Sequence, residues 1–161
     1  MANEKARVIF DCNIYLQAFL STKGVASRCL KLIDDELVEL FISRNIFNEV
    51  KDVLSRPEFQ VKFSHTTPEN LAIFLEYIKE KAIFVRSVGK HFELPRDKKD
   101  EPYLNLAIEI KGDFIVTWDR DLLDLMTDIS VNGKEFRQKS RPLKIVEPIE
   151  FLGMLEEKNY L

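Results

Sequence analysis

The chain has 161 residues, of which 45% are hydrophobic and 32% are charged, and its formal net charge is −3. This length and composition predict one globular domain spanning 1–161, because twelve Phe, four Tyr and one Trp supply ample apolar surface for a core. The negative balance excludes a general polyanion binder, so a nucleic-acid partner would need a local basic patch.

The sequence also indicates a compartment. Cys12 and Cys29 are the only cysteines, which argues against a disulfide framework and favours a reducing environment. No uncharged stretch is long enough to cross a membrane, and the N-terminal residues lack the apolar region of a signal peptide. We therefore expect a cytoplasmic protein that has no membrane partner.

In the first half of the chain, apolar runs alternate with segments of helical periodicity. A buried strand is predicted at 8–10, followed by helices at 13–20 and 25–33 and a second strand at 38–42. Ser43 is the expected N-cap of a helix that reaches Leu54, and Pro57 either ends it or opens a short successor. Thr67 and Pro68 have the cap and first-position chemistry of another helix.

The second half continues the alternation. Strands are predicted at 82–85, 114–117 and 143–146, with helices at about 102–110, 119–126 and 148–155. Gly112 is expected to stop the first of these helices. The stretch 128–141 is ambiguous, and its Asn132-Gly133 pair indicates a turn in a hairpin or an excursion. The whole pattern predicts an α/β fold with a single open parallel sheet of about five strands, flanked by helices.

Acidic side chains lie where such a sheet would gather them. Asp11 directly follows the first strand, Asp119 directly follows the fourth, and Glu49 lies about two turns into the helix after the second. In open α/β sheets the active crevice lies beyond the carboxyl ends of the strands. The candidate acids are Asp11, Glu49, Asp97, Asp100, Glu101, Asp119 and Asp121.

Several carboxylates in one crevice repel each other and favour a bound cation. Carboxylate oxygen suits Mg²⁺ or Mn²⁺, and such an ion supports phosphoester hydrolysis. Each acid also has a structural interpretation: Asp11 and Asp119 could cap helices, Glu49 could be an exposed helical residue, and 97–101 could favour a helix dipole. The joint arrangement is stronger than any single member.

Two groups of basic residues accompany the acids. Arg96, Lys98 and Lys99 adjoin Asp100 and could steer a phosphate towards a metal ion. A second patch at 134–144 is either a contact for a phosphate backbone or an ordinary solvated loop. Its basic members are Lys134, Arg137, Lys139, Arg141 and Lys144.

Four segments, in order and with matching spacing, resemble the PIN-domain nucleases, and within them the toxin components of bacterial and archaeal toxin–antitoxin pairs. They contain an Asp-x-Asn after the first strand, a Ser-x-x-Ile-x-x-Glu segment, an Arg-Asp-x-x-Asp block and a Thr-x-Asp-x-Asp-Leu-Leu run. The segments are 7–21, 41–59, 96–125 and 142–155.

The resemblance implies an endoribonuclease dependent on Mg²⁺ or Mn²⁺, with RNA as substrate, a small antitoxin protein as a possible partner, and a homodimer. Asn13 and Thr117 match the family's polar neighbours, and Asp100 matches its third acid by spacing, with adjacent Glu101 as the alternative. The implied catalytic and metal-binding residues are Asp11, Glu49, Asp100 and Asp119. The non-enzymatic alternative is a catalytically degenerate module of the same fold that binds RNA or protein.

Overall fold

The computed structural model describes residues 4–159, in which strands and helices alternate along the chain. Every neighbouring pair of strands is parallel, in the order β3-β2-β1-β4-β5. This confirms the predicted five-stranded parallel sheet. The strands are β1 (Ala6–Phe10), β2 (Val38–Ser43), β3 (Ile83–Val85), β4 (Phe114–Val116) and β5 (Lys144–Val146).

Helices connect and cover these strands. Two short 3₁₀ turns, Lys98–Asp100 and Asp124–Met126, complete the regular structure of the described range. None of the helices within 4–159 has the length and apolar character that crossing a membrane requires. The helices are α1 (Cys12–Leu20), α2 (Val25–Asp34), α3 (Arg44–Leu54), α4 (Pro57–Lys62), α5 (Pro68–Lys81), α6 (Glu101–Ile110), α7 (Arg120–Leu123), α8 (Val131–Ser140) and α9 (Pro148–Asn159).

The strand order creates a crevice at the middle of the sheet. The chain builds outward from β1 to β3, then returns across β1 to lay down β4 and β5 on the other side. At such a reversal the connections leave in opposite directions and open a space beyond the strand ends. Phe10 and Val116 are register partners, so β1 and β4 end level with each other at this point.

The central strand anchors the core. Val8, Ile9 and Phe10 are completely buried, as expected for a parallel strand covered on both faces. The Phe10 ring contacts Tyr15 on α1 and Phe151 on α9, at centroid distances of 6.0 and 6.2 Å. Packing of the Phe10 ring against two helices on one face of the sheet therefore helps to fix the strand that leads into the crevice.

The predicted helix starts are confirmed. The Ser43 hydroxyl accepts a hydrogen bond from the Ile46 amide at 3.3 Å, and that of Thr67 accepts from the Asn70 amide at 3.1 Å. Pro57 opens the short helix α4, which was one of its two predicted roles. These side chains satisfy amides that the first helical turn leaves free.

The predicted role of Gly112 as the helix stop needs correction. Lys111, with φ of 53°, takes the left-handed conformation at the end of α6, and no described glycine has a positive φ. Gly112 contributes through its amide, which donates to the Ala107 carbonyl at 2.9 Å. The helix thus ends where expected, but a lysine supplies the backbone conformation usually given to glycine.

The turn predicted at Asn132-Gly133 is wrong, because both residues lie in the first turn of α8. Ser130 caps this helix by accepting from the Gly133 amide at 3.2 Å. Gly133 allows the helix backbone to lie close to Asp128. A Cβ atom built at Gly133 would lie 2.6 Å from both the Cβ atom and the carbonyl oxygen of Asp128. Absence of a side chain, rather than turn geometry, explains this residue.

Replacement of Gly133 should therefore be costly. We expect Gly133→Ala to lower the free energy of unfolding by about 1–3 kcal/mol, because the added methyl group overlaps backbone that cannot easily move. The matched control is Gly153→Ala in α9, where nothing lies within 4 Å of the added Cβ. That change should raise stability by about 0.5–1 kcal/mol. Thermal or urea melts of both variants check this. Equal changes in the free energy of unfolding for the two variants would contradict the prediction.

Candidate active site

One hydroxyl group connects the acids that follow the two central strands. Asp11, which is 7% exposed, accepts a hydrogen bond on Oδ2 from Thr117 Oγ1 at 2.6 Å. The same Thr117 oxygen accepts from the backbone amide of Asp119 at 2.8 Å. Thr117 is completely buried. The structure therefore brings Asp11, Thr117 and Asp119 together at the crevice.

Both acids also cap helices, as their structural interpretation predicted. Asp11 Oδ1 accepts from the Cys12 amide at 2.6 Å and opens α1, while Asp119 Oδ1 accepts from the Asp121 amide at 2.9 Å and opens α7. The two roles are compatible because a cap uses one carboxylate oxygen. Capping therefore holds each carboxylate in a fixed orientation at the crevice.

Asp100 is the third acid of the group. It ends the 3₁₀ turn before α6, is 6% exposed, and its Oδ2 atom is buried without a hydrogen-bond partner. Burial, followed by the charges of Asp119, Asp97 and Asp11, raises its pKa to about 7. Burial is also the main cause that raises the pKa of Asp11. These carboxylates are therefore hard to ionise together without a compensating positive charge.

Glu49 reaches the same site through a tyrosine that the sequence analysis missed. The hydroxyl of Tyr103, a residue only 1% exposed, donates to Glu49 Oε1 at 2.8 Å. It also accepts from the Cys12 amide at 3.2 Å. Tyr103 lies three residues after Asp100 and so on the same face of α6. The spacing of three residues from Asp100, together with a hydroxyl group on an otherwise apolar helix, is the sequence signal that could have revealed Tyr103.

The residues beside Asp11 are polar or inert. Asn13, half-buried on α1, has its Oδ1 atom buried without a hydrogen-bond partner. Burial, aided by the charges of Glu49 and Asp11, raises the pKa of the Cys12 thiol to about 12. Cys12 therefore stays protonated and packs as a small residue, whereas Asn13 leaves an acceptor available at the site.

The other candidate acids have different partners. Glu101 Oε2 accepts from the Leu94 amide at 3.0 Å, which holds the preceding loop. Asp97 accepts from the Lys99 amide at 3.2 Å and caps the 3₁₀ turn, while Asp121 is exposed and offers its backbone amide to Asp119. The structure thus places Asp100, rather than Glu101, with Asp11 and Asp119.

The basic residues near the third acid lie at the rim. Arg96 donates to the carbonyl of Asp121 at 3.3 Å and lies 4.0 Å from the carboxylate of Asp128. Lys98 and Lys99 are exposed on the 3₁₀ turn that ends in Asp100. Arg96 therefore ties two loops of the site together, and the lysines add positive charge beside it.

The basic patch at 134–144 lies elsewhere. It belongs mainly to helix α8 and not to a solvated loop, and Lys139 turns away to the His91 carbonyl and to Glu135, at 3.0 and 3.2 Å. Lys144 begins β5, at the opposite end of the strands from the acids. Together with Lys144, the remaining basic residues of the patch line a groove of about 650 Å³; they are Lys134, Arg137 and Arg141.

The donor set of the crevice fits a hard divalent cation in chemistry. Its oxygen donors are carboxylates and one amide, and two of them, Asp100 Oδ2 and Asn13 Oδ1, are buried without a partner. In the described range of the chain, no three His, Cys, Asp or Glu side chains stand in a preassembled metal-binding arrangement.

The sheet, the crevice and its acids define the class. A family model described as PIN domain matches residues 7–121, and the chain belongs to this family. PIN domains are generally nucleases, and they typically use divalent metal ions. The protein is therefore a PIN-domain protein of the nuclease superfamily.

Two individual proteins are similar to the chain. The chain is 26% identical to uncharacterized protein MJ1680 of Methanocaldococcus jannaschii over 157 residues, which cover 98% of this chain and 96% of that protein. Its fold is similar to the crystal structure of PAE2754 from Pyrobaculum aerophilum, with a TM-score of 0.54 and 14% identity. That likeness covers 94% of this chain and 90% of the other, and it concerns the fold alone.

The raised pKa of Asp100 predicts a pH-dependent cost. Between the ordinary value of 3.8 and about 7, the native state holds a proton that the unfolded state has lost. Stability in a chelating buffer should therefore fall as the pH rises through this window. Asp100→Asn should reduce that fall and melt above wild type at pH 8. Thermal melts of both proteins at pH 5 and pH 8 check this. Equal stability of the wild-type protein at the two pH values would contradict the prediction.

Proposed function

We propose that this protein is an endoribonuclease that hydrolyses RNA phosphodiester bonds with Mg²⁺ or Mn²⁺. The observation that carries the proposal is the group of carboxylates at the point where β1 and β4 end level, of which Asp11 and Asp100 are buried and Asp119 is half-buried. Asp11 and Asp119 are joined through Thr117, and Asp100 faces them with an oxygen atom that has no partner. Membership of a nuclease superfamily supports this interpretation.

The residues that would hold the ion are Asp11, Asp100 and Asp119, with Asn13 beside them. A divalent cation held there supplies a positive charge that polarises a phosphoryl oxygen and lowers the pKa of an attacking water. Three neighbouring carboxylates favour such an ion, because binding relieves their mutual repulsion. Fixed capping geometry keeps two of these acids in place before substrate arrives.

The remaining residues orient groups around the scissile bond. Thr117 fixes Oδ2 of Asp11, so that this carboxylate cannot rotate away from the crevice. Tyr103 donates to Oε1 of Glu49, which leaves this carboxylate oriented to accept a proton from a water molecule. Glu49 is thus the proposed water-positioning residue of the reaction.

We further propose that the protein is the toxin of a toxin–antitoxin pair, with a small antitoxin protein as partner, a homodimeric state and a cytoplasmic location. The sequence resemblance in 7–21, 41–59, 96–125 and 142–155 supports these points. A short neighbouring gene for a small DNA-binding protein is the feature that would accompany such a toxin.

A degenerate module that binds RNA or protein without cutting is the second candidate. The specific observation in its favour is that, among the residues the structure describes, the acids are not preassembled around a metal position. The four matching acids and the orphaned oxygen of Asp100 favour the enzyme instead. A cleavage assay distinguishes the two candidates directly.

Cleavage of RNA should depend on both a divalent ion and the acid group. We expect activity with Mg²⁺ or Mn²⁺ and none in EDTA. Asp11→Asn and Asp100→Asn should each lower the rate by several orders of magnitude, because each removes a ligand charge. The measurement is the initial rate on a labelled RNA, with melting curves to verify folding.

Glu101→Gln is the matched control for Asp100→Asn. It removes the same charge one residue away, and its amide oxygen can still accept the Leu94 hydrogen bond. This control should keep most of the wild-type rate. If Glu101→Gln loses activity and Asp100→Asn keeps it, the assignment of the third acid is wrong. If neither Asp11→Asn nor Asp100→Asn lowers the rate, the proposed active site is wrong.

A further inference from the structure

A second cluster of charge lies at the same edge of the sheet, on the side of β2 and β3. Arg44 directly follows β2, and Arg86 directly follows β3. Because these parallel strands are neighbours, their ends bring the two arginines to one pocket of about 320 Å³. Lys90 and Lys98 also line this pocket.

The pocket is strongly positive although the chain as a whole carries −3. Within the described residues, no carboxylate lies at ion-pair distance from Arg44, Arg86 or Lys98, whereas Lys90 pairs with Glu93 at 3.0 Å. The one acid among the lining residues is Glu101. Its Oε2 atom accepts a hydrogen bond from the Leu94 amide. Glu101 is thus the one lining carboxylate beside Arg44, Arg86 and Lys98, the three lining cations that have no ion-pair partner in the described range.

Helix α6 holds the loop that carries the two lysines. Glu101, Asn105 and Glu109, spaced by four residues, lie on one face of this helix. Their side-chain oxygens accept backbone hydrogen bonds at 2.7–3.0 Å from a single loop segment. This segment between β3 and α6 is therefore fixed: Lys90 lies within its hydrogen-bonded part, 89–94, and Lys98 lies beyond that part. The donating amides are those of Gly89, His91, Phe92 and Leu94.

The pocket adjoins the acid group along two elements. Arg44 and Glu49 lie on α3 five residues apart, which corresponds to a rise of about 7.5 Å along the helix. Lys98 opens the 3₁₀ turn that ends in Asp100. A phosphate in the pocket would therefore lie beside a phosphodiester bond at the acids.

On the opposite side of Asp11, the end of β4 presents an aromatic ring. Trp118 lies between Thr117 and Asp119 and is 40% exposed. Exposed indole rings stack on unpaired bases, and this stacking is not available to bases paired in a duplex. Cations, acids and an indole thus follow one another across this edge of the sheet. This arrangement suits a single nucleic-acid strand, whose unpaired bases can stack on the indole.

We propose that the pocket of Arg44, Arg86, Lys90 and Lys98 binds a backbone phosphate of single-stranded RNA, next to the bond held at the acids. This inference rests on the proposed function. Arginine guanidinium groups present paired donors that match phosphate oxygens, and the unpaired state of both arginines leaves these donors available. The pocket thus positions the substrate and contributes affinity independent of sequence.

The test measures binding without cleavage. A fluorescein-labelled single-stranded RNA of about ten nucleotides is titrated in EDTA, by anisotropy, from 50 to 200 mM salt. Arg44→Gln/Arg86→Gln should weaken binding equally for RNAs of different sequence. It should also lower the slope of log affinity against log salt by about 0.7, since the pocket holds one phosphate and each lost phosphate contact on a single strand contributes about 0.7.

Arg28→Gln/Lys31→Gln is the matched control, since it removes two exposed positive charges from α2. It should leave both affinity and slope close to wild type. Identical slopes for the two double variants would overturn the proposal. Should the arginine variant fail to melt cooperatively, Lys98→Gln replaces it, with an expected slope change in the same direction and of at most about 0.7.

Competitors identify the chemistry that the pocket recognises. An unlabelled single strand should compete far better than inorganic phosphate, an acidic peptide or duplex RNA. Equal competition by phosphate or by the peptide would overturn the assignment to a nucleic-acid backbone. Equal competition by the duplex would overturn the claim that the pocket prefers single-stranded RNA. Because EDTA prevents turnover, a failed cleavage assay with an intact arginine effect would overturn the proposed function and leave the pocket standing.

Discussion

The hydrogen bond from Thr117 to Asp11 is the contact on which the crevice depends. Thr117 follows β4 and Asp11 follows β1, so this bond joins the two strands at the reversal of the sheet. Because the threonine oxygen also accepts the Asp119 amide, one buried hydroxyl sets the positions of two acids. Parallel pairing of β1 with β4 brings these residues close enough for that arrangement to exist.

The arrangement carries an electrostatic cost. Burial raises the pKa values of Asp11 and Asp100, and each carboxylate adds to the repulsion felt by the others. A protein without a use for these charges would gain stability by replacing them. The proposed binding of a cation and a phosphodiester would account for the cost, since positive charge would offset the repulsion and Arg44 and Arg86 would attract the backbone.

The sheet and its acids could be predicted from sequence because continuous apolar runs and strand-end residues depend on local pattern. The helix at Val131–Ser140 could not, since Gly133 is required by a close backbone approach to Asp128, which the residue types do not reveal. Tyr103 was hidden in the apolar pattern of α6. The pocket at Arg44 and Arg86 was missed because the strand-end argument was applied to acids and not to bases, although it holds for both.

The central claim is that the group of acids binds a divalent cation, and equilibrium dialysis with Mn²⁺ measures this most directly. Wild-type protein should show saturable binding that Mg²⁺ competes away, and Asp11→Asn should weaken it strongly. Asp35→Asn, which neutralises an exposed acid at the C-terminal cap of α2, should bind Mn²⁺ as wild type does. Equal Mn²⁺ binding by wild type and Asp11→Asn, or no saturable binding by either, would contradict the account.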